Sequence, residues 1–281
     1  EAELMARRGT PPSVTYTFKH ALVQDAAYAS LLKTTRQHHH AAIAAAMTQR
    51  FAETAETQPE FVAHQFTEAG MFREAITWRQ KAGKRASQRA AMPECIANYR
   101  KGLELVALLP ASLDRDQAEL GLQVGLAFAL MLAKGWAAPE TGLAIERAAE
   151  LGGSLSKAGQ ASADLYWALR APGTFYFTRG QYRLADEIAE QCLQVAAKSG
   201  DLDVRIDSHN LRAMTAYALA KFPLAREHAE LGFALYGPGR RSHPLLLGQD
   251  TRIRLSWWHA WTLWWQGYPD QALERGREIV A

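Results

Sequence analysis

The chain is poor in the residues that brace or arm most small enzymes. Cysteine occurs only twice in 281 residues, at Cys95 and Cys192. That excludes a disulfide framework and fits a reducing, cytoplasmic setting. Long apolar runs are also missing. The longest, around Val124 to Ala133, is too short to cross a bilayer. The formal charge is only +3, so charge alone argues for neither nucleic acid nor an anionic membrane. No Gly-x-x-x-x-Gly-Lys-[Ser/Thr] phosphate loop, Gly-x-Ser-x-Gly elbow or His-Glu-x-x-His pair occurs. No basic-then-apolar leader follows Glu1-Ala2-Glu3. The sequence lacks an initiator Met and stops in a helical pattern at Ile279-Val280-Ala281, so it reads as part of a longer protein.

What is present is helix-forming. Hydrophobic residues make up 48% of the chain, enough for a substantial core. Alanine is abundant, apolar residues recur three and four apart, and alternating β-branched runs are scarce. The exception is Val14-Thr15-Tyr16-Thr17-Phe18, which alternates after Gly9-Thr10-Pro11-Pro12 and predicts a short β-hairpin with Leu4 to Arg8 as its first arm. Helices are expected over His20 to Leu32 and Thr35 to Thr54. Further helices are expected at 60–69, 71–89, 91–108, 114–134, 139–152, 160–178, 181–199, 202–220, 222–236, 250–266 and 269–281. Loops are expected at Lys134 to Pro139 and Gly237 to Pro244.

A pattern recurs from residue 60 onward: a small residue, then an aromatic, then two more small residues at fixed offsets. Instances are Gly70, Phe72, Ala75, Ala82; Gly180, Tyr182, Ala185, Cys192; and Ala220, Phe222, Ala225, Gly232. Gly267, Tyr268, Ala272, Ile279 is shifted by one at its aromatic, and Met92, Cys95, Tyr99, Gly102 is a variant. The first small residue permits a tight turn between antiparallel helices, and the later ones let a neighbouring backbone approach. The fold class implied is all-α: a tetratricopeptide-like α-solenoid of about five helix pairs over 59–281, with a short β-hairpin and helices at the N-terminus. The intervals Ala185 to Ala225 (40 residues) and Ala225 to Ala272 (47 residues) exceed a 34-residue unit, so longer helices are expected.

Tyr16-Thr-Phe-Lys-His-Ala-Leu-Val-Gln-Asp-Ala-Ala-Tyr-Ala-Ser-Leu-Leu32, followed by Arg36 and His39, resembles the end of the ATPase module in large bacterial signalling proteins. These are class III adenylate/guanylate cyclase-type proteins with a STAND (AAA-like) ATPase and C-terminal tetratricopeptide repeats. Ala69-Gly70 to Ala82-Gly83, Lys134 to Glu140 and Trp261 to Leu273 are similar to that family's repeat region. The resemblance implies that 1–58 is the tail of a winged-helix-like subdomain and that 59–281 is a repeat domain truncated at its C-terminus. It places His20 at the strand-to-helix junction. The implied role is that of a non-catalytic interaction and sensor segment regulating an upstream ATPase and cyclase. The alternative is the repeat region of a STAND-type transcription regulator. None of the family's metal or nucleotide residues maps onto this chain, so no cofactor is expected in the segment.

The remaining motifs weigh towards packing. His38-His39-His40 are consecutive on a helix, about 100° apart, and cannot converge on one metal ion. Cys95 and Cys192 fall at small-residue positions and read as buried and inert. Between Arg73 and Lys101 stand eight basic residues against two acids, with Trp78 as the one tryptophan; a solvated face outweighs a nucleic-acid surface there.

Five of the eight tryptophans lie at Trp257, Trp258, Trp261, Trp264 and Trp265. Trp257, Trp261 and Trp264 share one helix face; Trp258 and Trp265 share another. Counting back from Ala272, Ala225 and Ala185, the groove-facing positions of successive first helices are Arg254, Trp257, Trp261, Trp264; Asp207, Asn210, Met214, Tyr217; and Trp167, Arg170, Thr174, Phe177. The candidate groove is therefore Trp167, Arg170, Phe177, Asn210, Met214, Tyr217, Arg254, Trp257, Trp261 and Trp264. Such an aromatic surface with scattered Arg and Asn suits a protein or peptide partner, or a small ligand. Packing against a further repeat is an equal alternative. An open C-terminal repeat also offers a face for a homodimer.

Overall fold

The computed structural model describes residues 4–10, 14–136, 138–158, 163–198, 200–236 and 250–280. The chain forms two compact units, 1–82 and 83–281.

In the first unit β1 (Met5–Arg8) and β2 (Thr15–Phe18) pair antiparallel, with Met5 opposite Phe18 and Arg8 opposite Thr15. Helices α1 (Ala21–Ser30), α2 (Lys33–Arg50), α3 (Ala52–Thr57) and α4 (Pro59–Glu68) follow, and α5 (Phe72–Gln88) carries the chain across the unit boundary. His20 stands at the strand-to-helix junction, one residue before α1. The single helix expected over Thr35 to Thr54 is split. Phe51 leaves helical geometry (φ −125°, ψ 45°), which re-aims the short α3 and buries Ala55. Helix α4 packs on α2, and His40 Nδ1 lies 2.7 Å from Gln65 Oε1 across that contact. The boundary between the two compact units falls inside α5.

The second unit contains α6 (Met92–Val106), α7 (Leu113–Lys134), α8 (Pro139–Lys157), α9 (Ala163–Thr178), α10 (Tyr182–Lys198), α11 (Leu202–Ala218), α12 (Phe222–Ala234), α13 (Thr251–Trp265) and α14 (Pro269–Val280). From α6 on, each helix packs against the next in sequence. In addition α7, α9, α11 and α13 touch one another in turn, so these four form one continuous layer. The long repeat period is taken up by helices of 16 and 17 residues in α9, α10 and α11. Helix α8 runs past the expected stop at Gly152. A Cβ there would lie 3.1 Å from the Ala168 side chain and 3.3 Å from Leu165, so this glycine serves close packing rather than termination. The loop expected at Gly237 to Pro244 lies outside the described residues.

One turn geometry closes every instance of the recurring pattern. Gly70, Ala90, Gly180, Ala220 and Gly267 all have positive φ, from 56° to 85°. In each case the following residue's N–H reaches back to the carbonyl five residues earlier, as in Met71 to Phe66 (2.9 Å), Gln181 to Tyr176 (2.9 Å) and Tyr268 to Leu263 (3.0 Å). This is the Schellman ending, in which a left-handed residue satisfies the last carbonyls of one helix and launches the next. Glycine adopts that conformation freely; Ala90 and Ala220 hold it against steric cost.

Replacing Ala220→Gly is therefore expected to stabilise the fold by about 1 kcal/mol. Gly180→Ala, whose new Cβ meets nothing within 4 Å, is expected to lose about as much through backbone strain alone. Urea denaturation of the two variants against the parent chain checks both signs.

Candidate functional site

The layer formed by α7, α9, α11 and α13 carries all ten candidate groove residues or their immediate neighbours, and the structure sorts them into two sets. Trp167, Arg170, Asn210 and Met214 are buried. Phe177 and Tyr217 are half-buried and meet Trp258, with ring centroids 5.8 and 5.5 Å away. Arg254 is also mostly enclosed. Trp257, Trp261 and Trp264, by contrast, are 56%, 49% and 59% exposed.

The buried set is organised by Asp207 of α11, which has no exposed surface. Its Oδ2 accepts from the Tyr166 hydroxyl (2.9 Å) and from Arg170 Nε (2.8 Å), both on α9. Its Oδ1 accepts from Arg254 Nη2 on α13 (2.8 Å), which also donates to Thr251 Oγ1 (3.1 Å). Arg170 donates in addition to the Thr174 hydroxyl. One carboxylate thus joins three successive first helices. Burial alone would raise its pKa, but the two guanidiniums and the phenol outweigh that and hold it below the ordinary 3.8. Cys192 lies beside this network, fully buried, and burial pushes its thiol up to about 12. Cys95 is pushed to about 11 in the same way. Neither cysteine is poised as a nucleophile at neutral pH.

The exposed set lies on α13 and α14. Trp258 turns inward and packs against the cluster of Ile206, Ala213, Ala229 and Leu255. Trp265 stacks on Phe222 with planes 5° apart and donates its Nε1–H to the Tyr217 hydroxyl (3.0 Å). The opposite side of α13 presents Trp257, Trp261 and Trp264. Trp261 and Trp264, together with Ala260, Pro269, Ala272, Leu273 and Gly276, line an open hollow of about 470 Å³. None of the lining residues carries a charge. The α14 contributors were not among the sequence candidates, although the intervals that aligned the first helices align the second helices as well.

Elsewhere the candidates resolve into packing. His40 is the half-buried member of its triplet and also meets the Tyr28 hydroxyl (2.9 Å); His38 and His39 are exposed. In the basic stretch, Lys81 pairs with Glu56 (2.5 Å) and lies over the Trp78 ring, Arg89 pairs with Glu94 (3.2 Å), and Arg100 with Glu140 (2.6 Å). Those cations already have acidic neighbours. Among the described residues no group of acidic, histidine and cysteine side chains is placed to hold a metal, and no helix is long and apolar enough to cross a membrane.

No known protein-family model matches the chain. It is 22% identical, over 98% of its length, to an uncharacterized protein of Rhizobium meliloti (strain 1021), of which it spans only 27%. Among solved structures it is similar to a Podosopora anserina kinesin light chain with nearly identical TPR-like repeats, at a TM-score of 0.54 and 19% identity, covering 73% of this chain and 92% of that one. It is similar to BtubC (BKLC) from P. vanneervenii at a TM-score of 0.51 and 13% identity, covering 80% of this chain and 97% of that one. It is also similar to NprR in complex with its cognate peptide NprX, at a TM-score of 0.53 and 12% identity, covering 92% of this chain and 70% of that one. The fold is a tetratricopeptide-like α-solenoid.

Two predictions follow from the site's electrostatics. Asp207→Ala leaves two enclosed guanidiniums without their shared acceptor, and is expected to cost about 3–5 kcal/mol in urea denaturation. The triple change Arg170→Met, Asp207→Leu, Arg254→Met removes all three charges together and is expected to recover most of that loss.

The second concerns His209 of α11 and His228 of α12, whose Nδ1 atoms lie 3.0 Å apart. Burial first, then His228 and Arg205, lower the His209 pKa from 6.5 to about 4. Between those values the unfolded chain binds the proton and the folded chain does not, so stability drains away as pH falls from 6.5 towards 4. His209→Gln is expected to flatten the melting temperature across that window, as followed by circular dichroism.

Proposed function

We propose that this chain is a non-catalytic protein-interaction and sensing segment of a multidomain bacterial signalling protein. It holds a protein or peptide and passes that state to an upstream ATPase and nucleotide cyclase. The observation that carries the interaction reading is the aromatic face of α13. Three tryptophans there are each about half exposed, and two of them, Trp261 and Trp264, line an uncharged hollow. Tryptophan dominates binding energy where it is buried by a partner. The solenoid fold supports the same role, because stacked helix pairs present extended binding surfaces. NprR, a structural neighbour, was solved with a peptide bound. The length of the Rhizobium meliloti relative agrees with a segment that works inside a larger polypeptide. The ATPase and cyclase connection rests on the resemblance carried by residues 16–39.

Screening the chain against a peptide array, followed by titration of the hits, tests the interaction reading. Trp257→Ala and Trp261→Ala together are expected to weaken a genuine partner by about 100-fold, the scale of two strong aromatic anchors, while leaving the melting temperature nearly unchanged. Hits that bind the double variant as well as the parent chain would place recognition elsewhere. In the intact parent protein, the same variant is expected to uncouple cyclase output from the partner without lowering basal turnover.

A further inference from the structure

We propose that α9 is a hinged helix, weakened at Pro172–Gly173 and strapped by Arg170, and that the strap is held from α13 through Asp207 and Arg254. This deepens the interaction reading above, because α13 carries the exposed tryptophans, and its link to a partner rests on that reading.

The hinge is written in the sequence of α9. Pro172 stands inside the helix and is buried. It has no N–H, so the Ala168 carbonyl four residues earlier loses its regular helical partner, and the proline ring crowds that carbonyl. Ala168 has no exposed surface, so bulk water does not replace the bond. Gly173 follows directly and adds backbone freedom. The placement is unlike that of the other helix prolines. Pro59, Pro93, Pro139, Pro223 and Pro269 all stand in the first turn, where a missing N–H leaves no helical bond unmade.

The turn that lacks its backbone bond carries a side-chain bond instead. Arg170, two residues before Pro172, donates from Nη1 to the hydroxyl of Thr174, two residues after it. Arg170 is itself held from outside the helix. Its Nε donates to Asp207 Oδ2 on α11 (2.8 Å), and Asp207 Oδ1 accepts from Arg254 Nη2 on α13 (2.8 Å). Arg254 precedes Trp257 by three residues, within one turn of the aromatic face.

The two halves of α9 also have different neighbours, as a hinge requires. Before the break, Trp167 meets Phe128 of α7 edge-on and Tyr166 donates to Asp207. After it, a Cβ on Gly173 would lie 3.2 Å from Leu211 of α11 and 3.3 Å from Ile188 of α10, and Phe177 meets Trp258 of α13. Helix α13 thus reaches the first half by charge, through Asp207, and the second by ring contact. A shift of α13 loads the two halves by separate routes, and the helix yields most readily where its bond is missing.

Hydrogen exchange of the full chain, read by mass spectrometry over residues 171–178, tests the device. Thr174→Val removes the strap's acceptor and is expected to speed exchange there about tenfold, the scale of one hydrogen bond to a charged group. Thr174→Ser keeps the hydroxyl and should exchange like the parent chain. Pro172→Ala restores the backbone bond and should slow exchange, and adding Thr174→Val to it should change nothing further. Arg254 donates to α11 and not to α9, yet Arg254→Met should speed exchange over 171–178 by about threefold, a fraction of the same bond, while α6 is unchanged.

Unaltered exchange in Thr174→Val overturns the strap. An equal effect of Thr174→Val with and without Pro172 overturns the hinge. If Arg254→Met leaves 171–178 unaltered, or speeds α6 equally, the route from α13 is refuted. These measurements use no partner, so they decide the device whatever a peptide array returns. A partner that depends on Trp257 should alter exchange over 171–178 in the parent chain and not in Pro172→Ala. One that binds and leaves the segment unaltered refutes the transmission and keeps the interaction reading.

Discussion

A pair of antiparallel helices has two apolar sides and can bury only one of them within itself. Every stable arrangement of such pairs must therefore cover the second side with something else, and in a solenoid that something is the next pair. Most of what is specific about this molecule follows from the constraint. Because each first helix touches its second helix, its predecessor and its successor, its side chains must alternate small and large around nearly the whole circumference. Gly173 is kept small where Leu211 packs on it, and Gly232 where Leu255 does. The left-handed residue at the helix ends belongs to the same logic: it turns the chain in the fewest residues, so the two helices of a pair meet along their full length. Ala90 and Ala220 show that the geometry of this turn is retained even where glycine is not available to make it inexpensive.

Buried charge in such an array is a matter of register more than of stability. Taking Asp207, Arg170 and Arg254 out of water costs several kcal/mol per ion, which their mutual attraction only partly returns. What the triad adds is discrimination. A slip of one residue in either neighbouring helix would swing an arginine away from the carboxylate and leave a buried charge without its partner, at a cost of about 3–5 kcal/mol. Nonpolar knobs in shallow holes tolerate small displacements; a bridged carboxylate does not. The pair His209 and His228 adds a different kind of polar contact between α11 and α12, one that needs at least one of the two Nδ1 atoms to be unprotonated.

The architecture was largely legible in the sequence, for a physical reason. The repeated small–aromatic–small pattern encodes a local turn and a local packing distance, and both are decided within a few residues. The turn residues Gly70, Gly180, Ala220 and Gly267 could be named before any coordinates for that reason. So could the hairpin, whose alternation is also local. The break at Phe51 was not legible, since residues on both sides favour helix and the interruption depends on how α3 and α4 pack. Gly152 misled for the complementary reason. A glycine pair reads as a helix stop, yet its role is close contact with Ala168, a residue on the next helix. For the candidate site, register could be counted but burial could not. Counting placed Asn210 and Trp257 at one position, and only the stacking of helices makes the first buried and the second exposed.

That difference also bears on how tryptophan is used here. At the filled junctions the equivalent positions hold Arg170, Thr174, Asn210 and Met214, residues chosen for fit or for hydrogen bonds within the stack. At the open one they hold Trp257 and Trp261. Tryptophan combines a large rigid apolar area with an N–H that water can satisfy, so it loses little in either state. Its two rotatable side-chain bonds keep the entropy cost of being covered small. Such residues therefore gain apolar burial at small entropic cost wherever a helix or a partner covers them.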